Sequence, residues 1–408
     1  MPAVFLLSCA ERQRRNPLDP QVDSALDILD PLQAVAGDGQ VTLTWDYTRY
    51  RDIDSVRVHR RDGAERDSRF SLAASETDFV DEQVENGLSY EYRLGLLVRG
   101  SGEQMQEERS LATPGTQAGW VADFGSGLVW KLSPDGRAAV FAQGRFPGLT
   151  AIDVDRQTGA CWVSDSRVRG LHRISADGEV IRVGAEIEGG GALAVDTEAR
   201  LGWVVNRLDD GVYWFGVDTL ADTVAVNQAD ATFKEVVDIA VGGVGVVWIA
   251  DRGAGRVLAY HRDGSRHGVW TGIEDLSDVA VGGNAVGEPV GWALAADGQK
   301  LWRLVPDGEA KEIAIPFDRA FDVDAGERDG QVWIVGDSDV ASYSRSGEPI
   351  LHWRELPEGR GLAYDEVHGQ LWIASATRLF KKTLFGTGYQ TQLTGFTSNH
   401  QVVVDPGR

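Results

Sequence analysis

Cysteine is almost missing. Cys9 and Cys161 are the only two in 408 residues, too few for a disulfide framework or a four-thiolate zinc site. Positive charge is the minority: 40 Lys and Arg stand against 62 Asp and Glu, a formal balance of −22. A surface this acidic repels nucleic-acid phosphates, so DNA and RNA are set aside as partners. No segment reaches the roughly 18 consecutive apolar residues that cross a bilayer. Proline is sparse, at 13 residues, while glycine reaches 49, which favours tight turns between short strands over long helices. Enzyme signatures are missing too. HExxH, GxSxG and a phosphate-binding glycine loop do not occur, and histidines 59, 172, 261, 267, 352, 368 and 400 lack metal-ligand spacing.

What is present reads as a folded protein, with 42% hydrophobic and 25% charged residues. The chain is too long for one ordinary core, so two or more domains are expected. It starts MPAVFLLSCAERQRRNPLDP: an apolar run, a small residue, a cysteine, then polar residues. Leu6-Leu7-Ser8-Cys9 resembles a bacterial lipobox. The resemblance implies that residues 1–8 are the remnant of a signal peptide and that Cys9 is lipid-modified in the cell envelope. Residues 9–28 have no apolar periodicity and read as a flexible tether from that membrane anchor. Cys161, beside Trp162 in an apolar strand pattern, reads as a buried thiol.

From Pro31 the pattern becomes alternating. GDGQVTLTWD (37–46) puts Val41, Leu43 and Trp45 on one strand face and Thr42 and Thr44 on the other. Ser55–His59 alternates likewise, and VENGLSYEYRLGLLV (84–98) has a turn at Asn86-Gly87 with Tyr90 six residues after Val84. Over residues 29–114 this resembles a fibronectin type III domain. Trp45 matches its buried tryptophan, Tyr90 its tyrosine corner, and Thr113-Pro114-Gly115 its close. The resemblance implies an immunoglobulin-like sandwich serving as a spacer.

The rest of the chain repeats. GWVAD, CWVSD, GWVVN, VWIAD, GWALA, VWIVG and LWIAS place Trp120, Trp162, Trp203, Trp248, Trp292, Trp333 and Trp372 at spacings of 42, 41, 45, 44, 41 and 39. After each comes a second alternating run with a turn, such as VWKLSPDG, LHRISADG or LWRLVPDG. Each unit then closes on a compact strand: AIDVD (151), ALAVD (192), DIAVG (238), DVAVG (278), DVDAG (322), GLAYD (361) and QVVVD (401). Four short strands per roughly 40 residues is the sequence mark of a β-propeller. Because the chain enters at a Trp strand and ends on an inner strand at 401–405, the last strand should complete the first blade. The spacing therefore predicts an all-β protein whose second domain, 116–408, is a seven-bladed propeller, with six blades as the alternative if the last copy is irregular. The units resemble NHL repeats, which serve binding proteins and enzymes alike.

Chemistry is harder to place. Inner-strand starts and second-strand ends share one mouth of the channel, so Asp238, Asp278 and Asp322 are expected in one ring there, with Asp251 beside Asp238. Such carboxylates could hold Ca²⁺, a hard cation that takes six to eight oxygens. Asp123, Asp165, Asn206 and Asp251 also fit a plainer role, accepting backbone N–H groups at tight turns. With the repeat and third-strand tryptophans assigned, Trp270 and Trp353 are left as surface candidates. Two readings follow. One is a monomeric, non-catalytic lipoprotein whose propeller face binds a protein, peptide or glycan. The other is a metal-dependent enzyme like the lactonases and streptogramin-type lyases of related propellers, for which no catalytic residue can be matched.

Overall fold

Alternating apolar and polar residues between glycine turns can bury one face only by pairing into sheets, and nearly every described element is a strand. The computed structural model describes residues 32–405 apart from 46–52, 65, 106–108, 138, 142–144, 177, 184–186, 219–223, 226–232, 243–244, 284–288, 296–298, 306–307, 355, 357, 385–388, 395 and 397–398. Cys9 and its tether lie outside the described residues. The chain divides into two units, Met1–Gly115 and Thr116–Arg408.

In the first unit Gln33–Ala36, Val41–Thr44 and Asp78–Asp81 form one antiparallel sheet. Asp67–Ala73, Ile53–Asp62, Tyr90–Val98 and Gly102–Met105 form the other, with Ser110–Ala112 also pairing to Tyr90–Val98. Val41, Leu43 and Trp45 from the first sheet share a core with Val56, Val58, Tyr92, Leu94 and Leu96 from the second. The buried Tyr90 accepts the Glu85 N–H on its hydroxyl at 2.9 Å.

One buried charge interrupts this core. Asp81 accepts both Arg60 contacts at 2.8 and 2.9 Å, the Tyr92 hydroxyl at 3.0 Å and the Gln83 N–H at 3.0 Å. Removing one partner of a buried pair strands the other, so Asp81→Ala should cost the first unit about 3–5 kcal/mol. The outward Val80→Ser beside it should stay within about 0.5 kcal/mol. Urea unfolding of the full chain measures both, and similar midpoints for the two variants would refute the network's importance.

The second unit is a propeller of seven four-stranded antiparallel blades. Blade 1 joins Ala118–Asp123, Leu128–Leu132 and Ala139–Phe141 to the chain's last strand, Asn399–Asp405. Gln401 thereby pairs with Ala122, and Val403 with Trp120. Blades 2 to 7 begin on inner strands Leu149–Asp155, Gly190–Asp196, Val236–Val241, Leu276–Gly282, Ala320–Ala325 and Gly359–Asp365. Each inner strand packs against those of its two neighbours, which closes the ring.

The repeated residues now have physical roles. Each repeat tryptophan is at most 1% exposed and fills the seam with the following blade. Trp248, for instance, packs with Val279, Val281 and Ala293 of blade 5, and Trp372 with Val121 and Val402 of blade 1. The turns between third and outer strands also repeat. Gly136, Gly178, Gly264, Gly308 and Gly347 all have φ between 69° and 93°, a region favouring glycine, and each N–H bonds back to the carbonyl three residues earlier. Trp270 corrects a sequence expectation: it is 1% exposed, stacks on Trp248 at 4.3 Å and donates to Val305 O across the next seam. Trp353 is half-buried against Trp333.

Candidate functional site

The inner strands share one register. The residues opposite the repeat tryptophans are Val403, Asp153, Ala194, Ala240, Ala280, Asp324 and Ala363. Two residues earlier on the same strands stand Gln401, Ala151, Ala192, Asp238, Asp278, Asp322 and Gly361. All but blade 1's pair, Gln401 and Val403, are small or acidic, because seven strands converge there. Six of these strands and the closing one carry an irregularity in register just before the earlier position, which turns the strand start at the channel end.

Asp238, Asp278 and Asp322 lie on three successive blades, as expected, and form a chain of side-chain hydrogen bonds, Asp238 to Asp278 to Asp322. Each also ties its blade to the next. Asp238 accepts Val279 N–H at 2.9 Å, Asp278 accepts Val323 N–H at 2.9 Å, and Asp322 accepts Leu362 N–H at 2.6 Å. Gln401 makes the equivalent bond to Ile152 N–H at 2.8 Å. At the Trp-paired level, Asp153 accepts Val195 N–H at 2.6 Å and Asp324 accepts Tyr364 N–H at 2.7 Å. Among the described residues neighbouring blades share no backbone ladder at the axis, so these side chains supply the polar contacts that a ladder would.

The electrostatics follow from enclosure. Desolvation, then the charge of Asp278, raises Asp238 well above the usual carboxylate range; desolvation, then Asp322, does the same to Asp278. Desolvation lifts Asp322 to about 7 and both Asp153 and Asp324 to about 6. Three hydrogen-bonded carboxyls cannot all be ionised without repulsion, so the group retains protons near neutral pH.

Asp251 does not join this group. Asp238 stands opposite Ala250, and Asp251 opposite Val236. Fully buried, Asp251 accepts the N–H groups of Lys234 and Glu235 at 3.1 and 3.2 Å and pairs with Arg256 at 3.0 Å. Asp165 likewise accepts Gly148, Arg167 and Val168 N–H groups. Both act as turn caps. Among the described residues, no three His, Cys, Asp or Glu side chains come together as a metal site. The ring's oxygens accept backbone N–H groups or face another carboxyl.

Sequence reasoning missed several participants. Asp153 and Asp324 were visible within AIDVD and DVDAG, since both stand opposite the repeat tryptophan. Gln401 was hidden because an amide replaces the acid. Phe321, at the start of blade 6, lies under the guanidinium groups of Arg360 and Arg319, at 3.8 and 4.6 Å from its centroid. No local motif announces that cluster, which forms only when blades 6 and 7 meet.

No family model and no curated protein matches this chain. Its fold does match solved structures. A streptogramin B lyase is 13% identical with a TM-score of 0.53, over 63% of this chain and 86% of that one. Virginiamycin B lyase from Staphylococcus aureus is 12% identical with a TM-score of 0.52, over 63% and 87%. A functionally unknown protein from Desulfotomaculum acetoxidans is 14% identical with a TM-score of 0.57, over 71% and 99%. At such identities the likeness speaks for architecture alone, and with the seven closed sheets it makes the second unit of this chain a β-propeller.

Proposed function

We propose that the protein is a non-catalytic, envelope-anchored binding protein. In this reading the propeller presents a protein, peptide or glycan partner with the face where the inner strands begin, and the first unit is a fibronectin type III-type spacer. The observation that carries it is the commitment of the channel carboxylates. Asp238, Asp278 and Asp322 spend oxygens on the next blade's backbone, which suits a rigid frame better than a reaction centre. Recognition then falls to the loops, where sequence departs from the repeat. Leu208, 68% exposed on such a loop, and the Arg319–Phe321–Arg360 cluster are the contacts favoured there. Support for the spacer is the buried Trp45 and the Tyr90 hydroxyl bond; support for the anchor is Leu6–Cys9 in the sequence. A streptogramin-type lyase activity has only the shared fold behind it.

Calcium titration with thermal melting tests the reading. About 1 mM Ca²⁺ should leave the melting temperature of wild type and Asp278→Asn alike. A rise of several degrees that Asp278→Asn abolishes would replace the binding frame with a metal centre. On the positive side, glycan and envelope-extract binding should be lost in Leu208→Asp with Arg319→Glu, and membrane retention lost in Cys9→Ser. Binding untouched by the loop substitutions would move the site elsewhere.

A further inference from the structure

One ion pair joins blades that are not neighbours. Arg156 follows the inner strand of blade 2, Glu327 follows that of blade 6, and their side chains pair. Blades 7 and 1 separate them on one side of the ring, and blades 3, 4 and 5 on the other, so the contact reaches over the channel. It does so at the end where the inner strands finish, opposite the strand starts that carry Phe321 and Arg360. Three residues back along the same two strands stand Asp153 and Asp324. The Arg156 charge lowers both carboxyls, and Asp324 raises Asp153, so the four groups meet around one lumen.

Both posts are held in place. Arg156 N–H bonds Thr197 Oγ1 of blade 3 at 3.0 Å. Beside Glu327, the N–H groups of Arg328 and Asp329 bond Glu366 of blade 7 at 2.8 and 3.0 Å. The two paired side chains are 41% and 58% exposed. An exposed pair of this kind is weak enough to open and sensitive to salt.

We propose that Arg156 and Glu327 form a latch across the channel that closes it where the inner strands end. Access to the lumen is then set by whether the guanidinium lies on Glu327 or is drawn off it, for example by a competing anion. This inference concerns the channel alone and stands whether or not the loop face binds a partner.

Thiol accessibility tests it. Ala240, half-exposed at the level of Asp153 and Asp324, carries the reporter as Ala240→Cys, with Ala194→Cys as the substitute if the first does not fold. The full chain without a reporter supplies the blank for Cys9 and the buried Cys161. With a methanethiosulfonate reagent at low salt, modification should be slow and should speed up about fivefold or more in Arg156→Ala and in Glu327→Ala. The charge-swapped double variant, Arg156→Glu with Glu327→Arg, should return it to slow. Adding about 0.5 M NaCl should accelerate the unaltered latch and leave Arg156→Ala unchanged. Rates within about twofold across all variants, or a swapped pair as fast as the single variants, would overturn the latch.

Discussion

Raising the pH from about 5 to about 8 will lower the melting temperature of the propeller by about 5 °C. The sign comes from the channel carboxyls. Unfolded, each titrates near its ordinary value of 3.8; folded, Asp153 and Asp324 titrate at about 6, Asp322 at about 7, and Asp238 and Asp278 are also raised. A group raised in the fold stabilises fully below its unfolded pKa, and that stability drains as pH rises through the folded value. For Asp322 alone, the loss between pH 5 and 8 is about 2–3 kcal/mol. Groups shifted the other way, such as Asp155 held low by the hydrogen bonds of Arg200 and Thr158 against desolvation, lose their contribution only below about pH 4. The optimum therefore lies on the acid side of neutral. Asp278→Asn keeps an oxygen for Val323 N–H and removes the central charge, so it should flatten the profile and melt above wild type at pH 8. Asp278→Ala loses the tie as well and should be destabilised by about 1–3 kcal/mol throughout. A melting temperature that climbs toward pH 8, or Asp278→Asn melting below wild type there, would show the carboxyls to be ordinary solvated acids.

How much of this was readable beforehand depends on the range of each interaction. The propeller was legible because its signals are local and repeat: Trp162 three residues before Asp165, Asp135-Gly136 closing the turn, small residues in ALAVD. The same period identified residues 401–405 as a lone inner strand in search of a sheet, and the structure extends it to Asn399–Asp405. The ring of Asp238, Asp278 and Asp322 was legible for the same reason, yet its purpose was not. Whether a carboxylate grips a cation or the next blade's N–H depends on contacts some 40 residues away in sequence, as from Asp278 to Val323. Asp251 does stand next to Ala250, the partner of Asp238, but its side chain is spent on the caps of its own turn. The register irregularity between Val236 and Asp238 shifted the partners by one residue. Interactions spanning many blades, such as Arg156 with Glu327, leave no trace in a repeat. Trp270 looked exposed because the repeat did not claim it, although its indole N–H serves a seam that Lys131 and Arg303 serve elsewhere, by bonding Ala176 O and Arg345 O.

The same seam chemistry becomes decisive where the ring closes. Lys381, 5% exposed in blade 7, donates to Gln117 Oε1 at 2.8 Å and to Pro134 O at 2.7 Å, both in the segment that builds blade 1. Gln117 in turn donates to Asp365, which also accepts the N–H and ring nitrogen of His368. This network and the pairing of Asn399–Asp405 with Ala118–Asp123 supply polar contacts that close the ring. Asp365→Ala would take from buried Lys381 the stronger of its two counter-charges, the other being Asp135, and leave Gln117 without an acceptor, so the propeller should lose about 3–5 kcal/mol, measured as the urea midpoint. Lys381→Met behaves differently, because desolvation lowers the ammonium from 10.5 to about 8. Below pH 8 the lysine is charged in both states and the fold bears the desolvation. Between pH 8 and 10.5 the folded protein sheds the proton while the unfolded chain keeps it, so stability rises with pH by about 3 kcal/mol from this group. Subtracting the Lys381→Met profile from wild type should isolate that rise. Near neutral pH the Met variant should cost far less than Asp365→Ala, since it removes the buried charge instead of stranding it. If the two profiles run parallel from pH 7 to 10.5, or Lys381→Met unfolds as readily as Asp365→Ala, then Lys381 is not the charged bolt of the ring closure.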